Sequence, residues 1–580
     1  MTTHTAERVL HRGTGTLLSG YDPGGADPVT TEVVRHGLNS AAEQMKRTLV
    51  RTAFSPIIYE AMDFAAAIYD RDVRLLAQAA ALPIFMGTMS YCVHGAVDAV
   101  GGEEALKPGD VILYNDPYGS GSHQNDMAVV MPVFHEDRLV GYTAIKGHYL
   151  DVGGKDPYIT DSVDVFQEGT IFPGVKIVDG GEWVGDIFRL ALANSRLPKM
   201  MAGDLNAEIA GLKAGARELT RIIERHGHGP FMSAVERMFD HGETVVRGYI
   251  ESIPDGRYTG RGVLDSNGVD DDLIPFEVDV VIDGGDITVD FGRVPEQQGG
   301  PINTPMPQAV SACRIALSML AGGTDIPNEG HFRPLTVVTV PGTMMHPVSP
   351  APVFLGWAAH EAMEVIFDAI ATVVPEAVPA WSGGNLPQLA WGPRSHHGRP
   401  WADGCAMPVG QGASAHGDGA HALQLHAAAR MRVTGAEILE TRNPWLVERA
   451  ELRVDSCGPG RHRGGLGVVW SYRALEDFFY TAGVERTKTA PPGFAGGRPA
   501  RSTELRLEYA DGSRTGFDKV TRLPCPRGSV LTVSTGGGGG YGPPSERAPE
   551  DVRADLRLGY ITEEFAREHY PHVDLAGEDA

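Results

Sequence analysis

Two short motifs carry the residue types from which a metal site is built. His123 and Asp126 stand three residues apart, and His148 and Asp151 repeat that spacing further along the chain. Two imidazoles and a carboxylate can fill one face of a borderline divalent ion and leave positions for water or substrate. His-x-x-Asp is short enough for both side chains to reach one ion from a loop. The glycines of Gly119-Ser120-Gly121-Ser122 let that loop turn tightly. A single such pair is common and usually binds nothing; two pairs flanking one hairpin point to a shared ion. Asp63 lies in an otherwise apolar run, YEAMDFAAAIYD, where an unpaired carboxylate is costly. It either joins the cluster or serves as a cap or a salt-bridge partner.

The elements that must position these residues follow from periodicity. DVILYNDPY reads as a buried strand leading into the Gly/Ser loop, and AVVMPVF and LVGYTAIKGH as the strands that return past it. AAAIYDRDVRLLAQ reads as two short strands around a tight turn. Val34, Leu38, Ala42, Met45 and Leu49 recur at helical spacing from about Thr31, and Pro56 is expected to end that helix. Ile209, Leu212, Ala216, Leu219 and Ile223 mark a second helix from about Asn206 to Arg225, with Gly227 just past its end. FEVDVVIDGGDITVDF alternates and turns at Gly284-Gly285, and residues 301–322 and 357–375 read as helices. From 430 onward the texture is mainly strand and turn. The fold class is α+β, a large mixed fold with β-rich regions and packed amphipathic helices. Expected divisions are a flexible tail over 1–27, a metal-site domain over 28–230, a central α+β domain over 231–430, a mainly β domain over 431–545 and a C-terminal tail over 546–580.

Composition narrows the function. The chain has 580 residues, 42% hydrophobic, with a formal net charge of −24, so it has ample apolar material for a core. A surface this acidic repels phosphate backbones and argues against nucleic-acid binding. Five scattered cysteines without a CxxC support neither a disulfide framework nor a zinc knuckle. No signal peptide or membrane-spanning stretch is visible, which makes the cytoplasm the expected compartment.

NDPYGSGSHQND followed by KGHYLDVGG resembles the metal-binding region of the hydantoinase B/oxoprolinase family. DVFQEGTIFPGVKIV, GDLNAEIAGLKAGARELTRIIERHG, GPINTPMPQAVSACRIAL, PNEGHFRPLTVV, RNPWLVERAEL, SCGPGRHRGGLGV and GGGGGYG continue the resemblance in order, over about residues 30–545. That family includes N-methylhydantoinase, oxoprolinase and caprolactamase subunits and the alpha subunits of acetone and acetophenone carboxylases. The resemblance implies a divalent metal on the positions His123, Asp126 and His148, and mixed imidazole and carboxylate ligation favours zinc or manganese. It also implies a hetero-oligomer in which ATP and magnesium are held by a separate partner of the hydantoinase A type. Two departures stand out. Many hydrolase members read roughly PVHLGSM where this chain has Pro83 to Met89, so their histidine is Phe85 here. Many also carry two adjacent histidines where this chain has His148-Tyr149. His-Gln after the Gly/Ser loop and Gly-His before Tyr149 lean toward the carboxylases.

Three functions follow as expectations: ATP-dependent hydrolysis of a cyclic amide, imide or oxoproline-like ring; ATP-dependent carboxylation of a ketone; or a scaffold that has kept the fold and lost the substrate. In the first, a water of lowered pKa on the ion attacks a carbonyl activated by phosphorylation. Asp116, Asp151 and Glu168 are the candidates for orienting ligands or moving protons. Other motifs carry less. Gly536 to Gly542 lacks the Lys-Ser/Thr of a phosphate loop and is followed by Pro543-Pro544, which favours a turn or a close backbone approach. Arg461-His462-Arg463 is either an anion site or a structural turn. His396, His397, His416, His421 and His426 lack ordered ligand spacing.

Overall fold

The structure is a computed structural model that describes residues 7–12, 20–322, 326–393, 398–428 and 431–575. The chain divides into two units. The first comprises Met1–Pro157, Ser162–Arg261 and Phe276–Ala369; the second comprises Tyr158–Asp161, Gly262–Pro275 and Ile370–Ala580. Helices and four mostly antiparallel sheets make a mixed α+β fold, as the sequence suggests.

The first unit is built on two sheets. Its strands are β1 (Val9–Arg12), β2 (Phe64–Asp70), β3 (Leu75–Gln78), β4 (Val111–Tyr114), β5 (Asp126–His135), β6 (Arg138–His148), β7 (Pro173–Asp179), β8 (Glu182–Trp183), β9 (Gly256–Leu264), β10 (Ile274–Asp283), β11 (Asp286–Asp290) and β12 (Leu335–Thr339). The larger sheet runs β3-β2-β6-β5-β4-β7-β8, with antiparallel neighbours throughout. β2, β5 and β6 are buried almost from end to end, because helices cover the sheet. One cover is the helix Pro28–Thr52, started by Pro28 and capped by Asp27, whose side chain accepts from Val29 N and Thr30 N. It packs along the helix Pro198–His226, which lies on β5 and β6. Gly211 and Gly215 make that contact close: a Cβ on Gly211 would sit 2.6 Å from Ile145 Cδ1, and one on Gly215 2.4 Å from Met45 Sδ.

Several expectations change. The N-terminal stretch read as a tail contains β1, which pairs antiparallel with β12. The boundary set at 230 falls inside the helix His228–Ile250, which starts directly after Gly227 (φ 81). Gly227 therefore turns the chain between consecutive helices. The boundary at 430 also disappears, because strands on both sides of it, Pro387–Gly392 and Phe478–Ala482, share one sheet. The C-terminal stretch holds the helices Pro549–Arg557 and Glu563–His569, whose Val552, Phe565 and Ala566 are buried in a local apolar cluster. The first helix stops at Thr52, and Pro56 instead starts the short turn Pro56–Tyr59.

In the second unit, a four-stranded and a five-stranded sheet share an aromatic core around Trp401, Trp445, Tyr472, Phe478 and Tyr480. Beside it, Gly536–Gly540 runs extended without being a sheet strand. Gly536 O accepts from Gly410 N, while Gly539 bonds Trp381 O and Ala413 N. Gly537 N donates to Arg501 O, and Gly540 bonds Arg498 O and Phe494 N. Gly538 bonds Gly465 O and Gly458 N. Residues three apart thus face the same neighbouring segment, the period of a polyproline-type helix that makes its hydrogen bonds outward. A Cβ at any of the five positions would approach a neighbouring backbone oxygen to between 1.9 and 2.7 Å. The glycines are a close backbone approach; the Gly536 amide is spent on Thr503 Oγ1 and the other four on carbonyls.

Candidate metal centre

The site forms at one end of the larger sheet. β4 is followed directly by Asn115, whose side-chain amide donates to Gln124 O (2.7 Å) and Thr170 O (3.0 Å) and so staples the loop that follows. Asp116 caps the short helix Pro117–Ser120 by accepting from Tyr118 N. Gly121, at φ 83, ends that helix and turns the chain toward His123. Asp126 opens β5 directly opposite His148, the last residue of β6. On the other side of His148, its backbone N–H donates to Asp63 O (3.0 Å), in line with β2. Asp63, His148 and Asp126 thus form one row across three chain segments, with His123 arriving from the loop.

His148 Nδ1 is 2.9 Å from Asp126 Oδ1, and His123 Nε2 is 3.2 Å from Asp126 Oδ2. The ligand-capable atoms of His123, Asp126 and His148 all lie within 4.8 Å of one another, and no other cluster of this kind forms among the described residues. The imidazole rings are 5.0 Å apart, and the Phe354 ring stands edge-on to His123 at 4.4 Å, fixing its plane. Burial alone would raise the Asp126 carboxyl, but the two imidazoles hold it well below the usual carboxylate range. Burial lowers His123, with Asp126 opposing. At His148 burial is outweighed by the hydrogen bond to Asp126 and the charges of Asp63 and Asp126, which push it upward.

Asp63 supplies the test of fit. Its Oδ1 is buried and has no hydrogen-bond partner, and burial pushes its carboxyl up to about 7. A buried carboxylate oxygen without a donor, on a group that feels the charges of His148 and Asp126, is one that a divalent ion held by the cluster would satisfy. The cap or salt-bridge reading finds no donor here.

The three carboxylates proposed from sequence for proton or orienting roles lie apart from this cluster. Asp151 is buried and bound to Arg196, through its guanidinium and backbone N–H, with Ser195 and Gly153 N nearby. The second half of the His148/Asp151 motif is therefore structural. Asp116 is spent as a helix cap. Glu168 is buried, and its Oε1 accepts from Ser162 Oγ, Val353 N and Phe354 N. Burial nonetheless pushes it up to about 8. It fixes the Val353-Phe354 backbone that sets Phe354 against His123, a positioning role.

Sequence reasoning missed the supports. Tyr149, at one of the departures, donates its hydroxyl to Glu208 Oε2 (2.8 Å), which burial pushes well above the usual range. Asn125 holds Tyr149 O (2.7 Å). Lys146, two residues before His148, is wholly buried. A buried lysine at the same strand parity as His148 was the readable signal. The remaining motifs resolve as structure. Arg463 pairs with Asp555, which also receives Arg547. His421 Nδ1 accepts from Leu466 N. His396 and His397 lie outside the described residues.

An antiparallel sheet carrying a two-histidine, one-carboxylate cluster at its end defines a class of candidate metal centre. Residues 27–544 match the hydantoinase B/oxoprolinase family, and the chain belongs to it. It is 32% identical over 567 residues to the putative B-type component of the D-/L-hydantoinase of Pseudomonas sp. (strain NS671), covering 94% of this chain and 95% of that protein. Its fold matches the crystal structure of the ATP-dependent caprolactamase from Pseudomonas jessenii, with a TM-score of 0.87, 28% identity, and 96% of this chain and 98% of that chain covered. The nucleotide-free acetone carboxylase structure shares the fold at 18% identity, with a TM-score of 0.85 over 94% of this chain and 79% of that one. No helix among the described residues is long and apolar enough to cross a membrane.

Proposed function

We propose that the chain is the metal-binding large subunit of an ATP-dependent hydrolase that opens a cyclic amide ring of the hydantoin, lactam or 5-oxoproline type. The observation that carries this is the buried His123–Asp126–His148 cluster with the undonated Asp63 Oδ1 beside it, in a chain aligned end to end with a hydantoinase component. His123, Asp126 and His148 would hold zinc or manganese, and Asp63 would complete or orient the set. The ion, when bound, supplies Lewis acidity and a water of lowered pKa. A ring amide carbonyl is a poor electrophile, and phosphorylating its oxygen turns that oxygen into a leaving group. Every backbone N–H of Gly536–Gly540 already has an acceptor within this chain, Thr503 Oγ1 for Gly536 and backbone carbonyls for the other four, which supports leaving ATP to a partner chain of the hydantoinase A type. Phe354 and Glu168 keep the His123 ring in register with Asp126, so that the ligands are fixed before substrate arrives.

Purified alone, the chain is expected to bind metal and to turn over neither ATP nor substrate. Adding the ATP-binding partner should produce ATP hydrolysis that depends on a lactam, hydantoin or oxoproline. ATPase activity that tracks the isolated chain and is abolished by a site mutation would overturn the reading. His123-Gln124 after the Gly/Ser loop and Gly147-His148 before Tyr149 favour a second reading, carboxylation of a ketone. Incorporation of labelled bicarbonate into product separates the two.

A further inference from the structure

Lys146 is an anomaly in the row below the candidate ligands. On β6 it shares the face of His148 and is flanked across the sheet by Ala65 and Ala128. It is wholly buried, yet its Nζ has only neutral partners: Ser120 O at 2.9 Å, Thr88 Oγ1 at 3.4 Å and the Phe85 ring at 5.1 Å. A buried ammonium without a carboxylate is costly. In the same Gly/Ser loop, the hydroxyls of Ser120 and Ser122 are buried and have no hydrogen-bond partner. One lysine without a carboxylate in contact, bonded to Ser120 O, and two unused hydroxyls therefore belong to or touch the loop that delivers His123. Phe85, a departure from many hydrolases, contributes a ring face that tolerates the cation without neutralising it.

We propose that Lys146, Ser120 and Ser122 form an anion-receiving subsite beside the metal cluster, and that it takes a phosphoryl group of the activated substrate. The assignment rests on the proposed function for the word substrate, and on this chain's own donors for the anion. Phosphoryl oxygens match the donors in number and charge: an ammonium supplies charge-assisted hydrogen bonds, and each hydroxyl supplies one more. A carboxylate or bicarbonate has the same chemistry with fewer oxygens, and the test separates them.

The experiment uses the full chain loaded with zinc or manganese and measures inorganic phosphate and bicarbonate binding by calorimetry, with metal content in parallel. Lys146→Met should weaken phosphate about tenfold or more while metal affinity stays or rises, because a like charge has left the neighbourhood of the ion. Ser122→Ala should weaken phosphate by roughly threefold to tenfold with metal unchanged. A purely structural role for Lys146 moves both readouts down together and leaves Ser122→Ala silent, which overturns the subsite. Equal phosphate affinity in wild type and both variants, or none in wild type, overturns it too. Bicarbonate bound more tightly than phosphate overturns the phosphoryl assignment. A wild-type chain that takes up no metal but holds phosphate in a Lys146-dependent way would sink the metal reading and leave the subsite standing.

Discussion

The end of the larger sheet in the first unit and the glycine stretch of the second unit solve opposite problems. At the sheet end, three side chains of the right type converge, and the backbone places them: Asp126 faces His148 across the ladder, His123 comes from the loop, and Asp63 adjoins His148 through its backbone from the other side. In the glycine stretch, it is the absence of side chains that matters, because neighbouring segments approach closer than any Cβ allows. Substitution in the first region should therefore remove chemistry and spare the fold. In the second it should remove the fold, with the chemistry following.

The largest expected effect comes from Gly538→Ala. Its Cβ would lie 1.9 Å from Gln411 O, a backbone atom that cannot swing aside. The expected loss is about 4 kcal/mol or more, in the range reserved for severe core disruption. Thermal unfolding checks it, and a loss below about 1 kcal/mol would break the comparison.

Asp126→Asn comes next. The amide keeps the shape but loses the anion that both imidazoles face. Metal affinity should fall about 10–100-fold with the unfolding midpoint of the metal-free chain little changed. Reconstitution with the partner adds a second readout: full metal without turnover would move Asp126 from ligand to proton carrier. Full metal with normal turnover would remove it from the site.

Much of this was legible, and the reasons differ by element. The helices over Pro28–Thr52 and Pro198–His226 announce themselves by apolar spacing, since one face of each is buried on the sheet. The β5–β6 pairing is readable from two apolar runs on either side of a short turn. The His123, Asp126 and His148 cluster was legible as a pattern, because the ligands stand at the ends of adjacent strands. Asp151 misled for a physical reason: it follows the end of β6, and the chain turns it toward Arg196, which sequence spacing cannot show. Glu168 reads as one loop carboxylate among many until Val353 and Phe354 reach it from a distant segment. The interleaved units were equally hidden, since contacts decide them and composition does not.

Glu168 gives the sharpest prediction, one that reads as a slope against pH. Burial raises it from 4.5 to about 8, so the folded state keeps its proton while the unfolded chain has lost it. The stability tied to that proton is complete below 4.5 and is lost as pH rises through 8. Glu168→Gln cannot ionise and retains an acceptor for Ser162, Val353 and Phe354. Its stability relative to wild type should grow across that window, by about 1 kcal/mol for each pH unit. Parallel stability curves for the two proteins from pH 5 to 9 would show that Glu168 is charged in the fold, contrary to this account.

The central claim is that the first unit holds one divalent ion on His123, Asp126 and His148. Elemental analysis of the purified full chain, beside the His123→Ala/His148→Ala double variant, tests it most directly. The account predicts close to one zinc or manganese per wild-type chain, and essentially none in a double variant that remains folded. Stoichiometric metal in the folded double variant, or none in wild type after incubation with either ion, would contradict it.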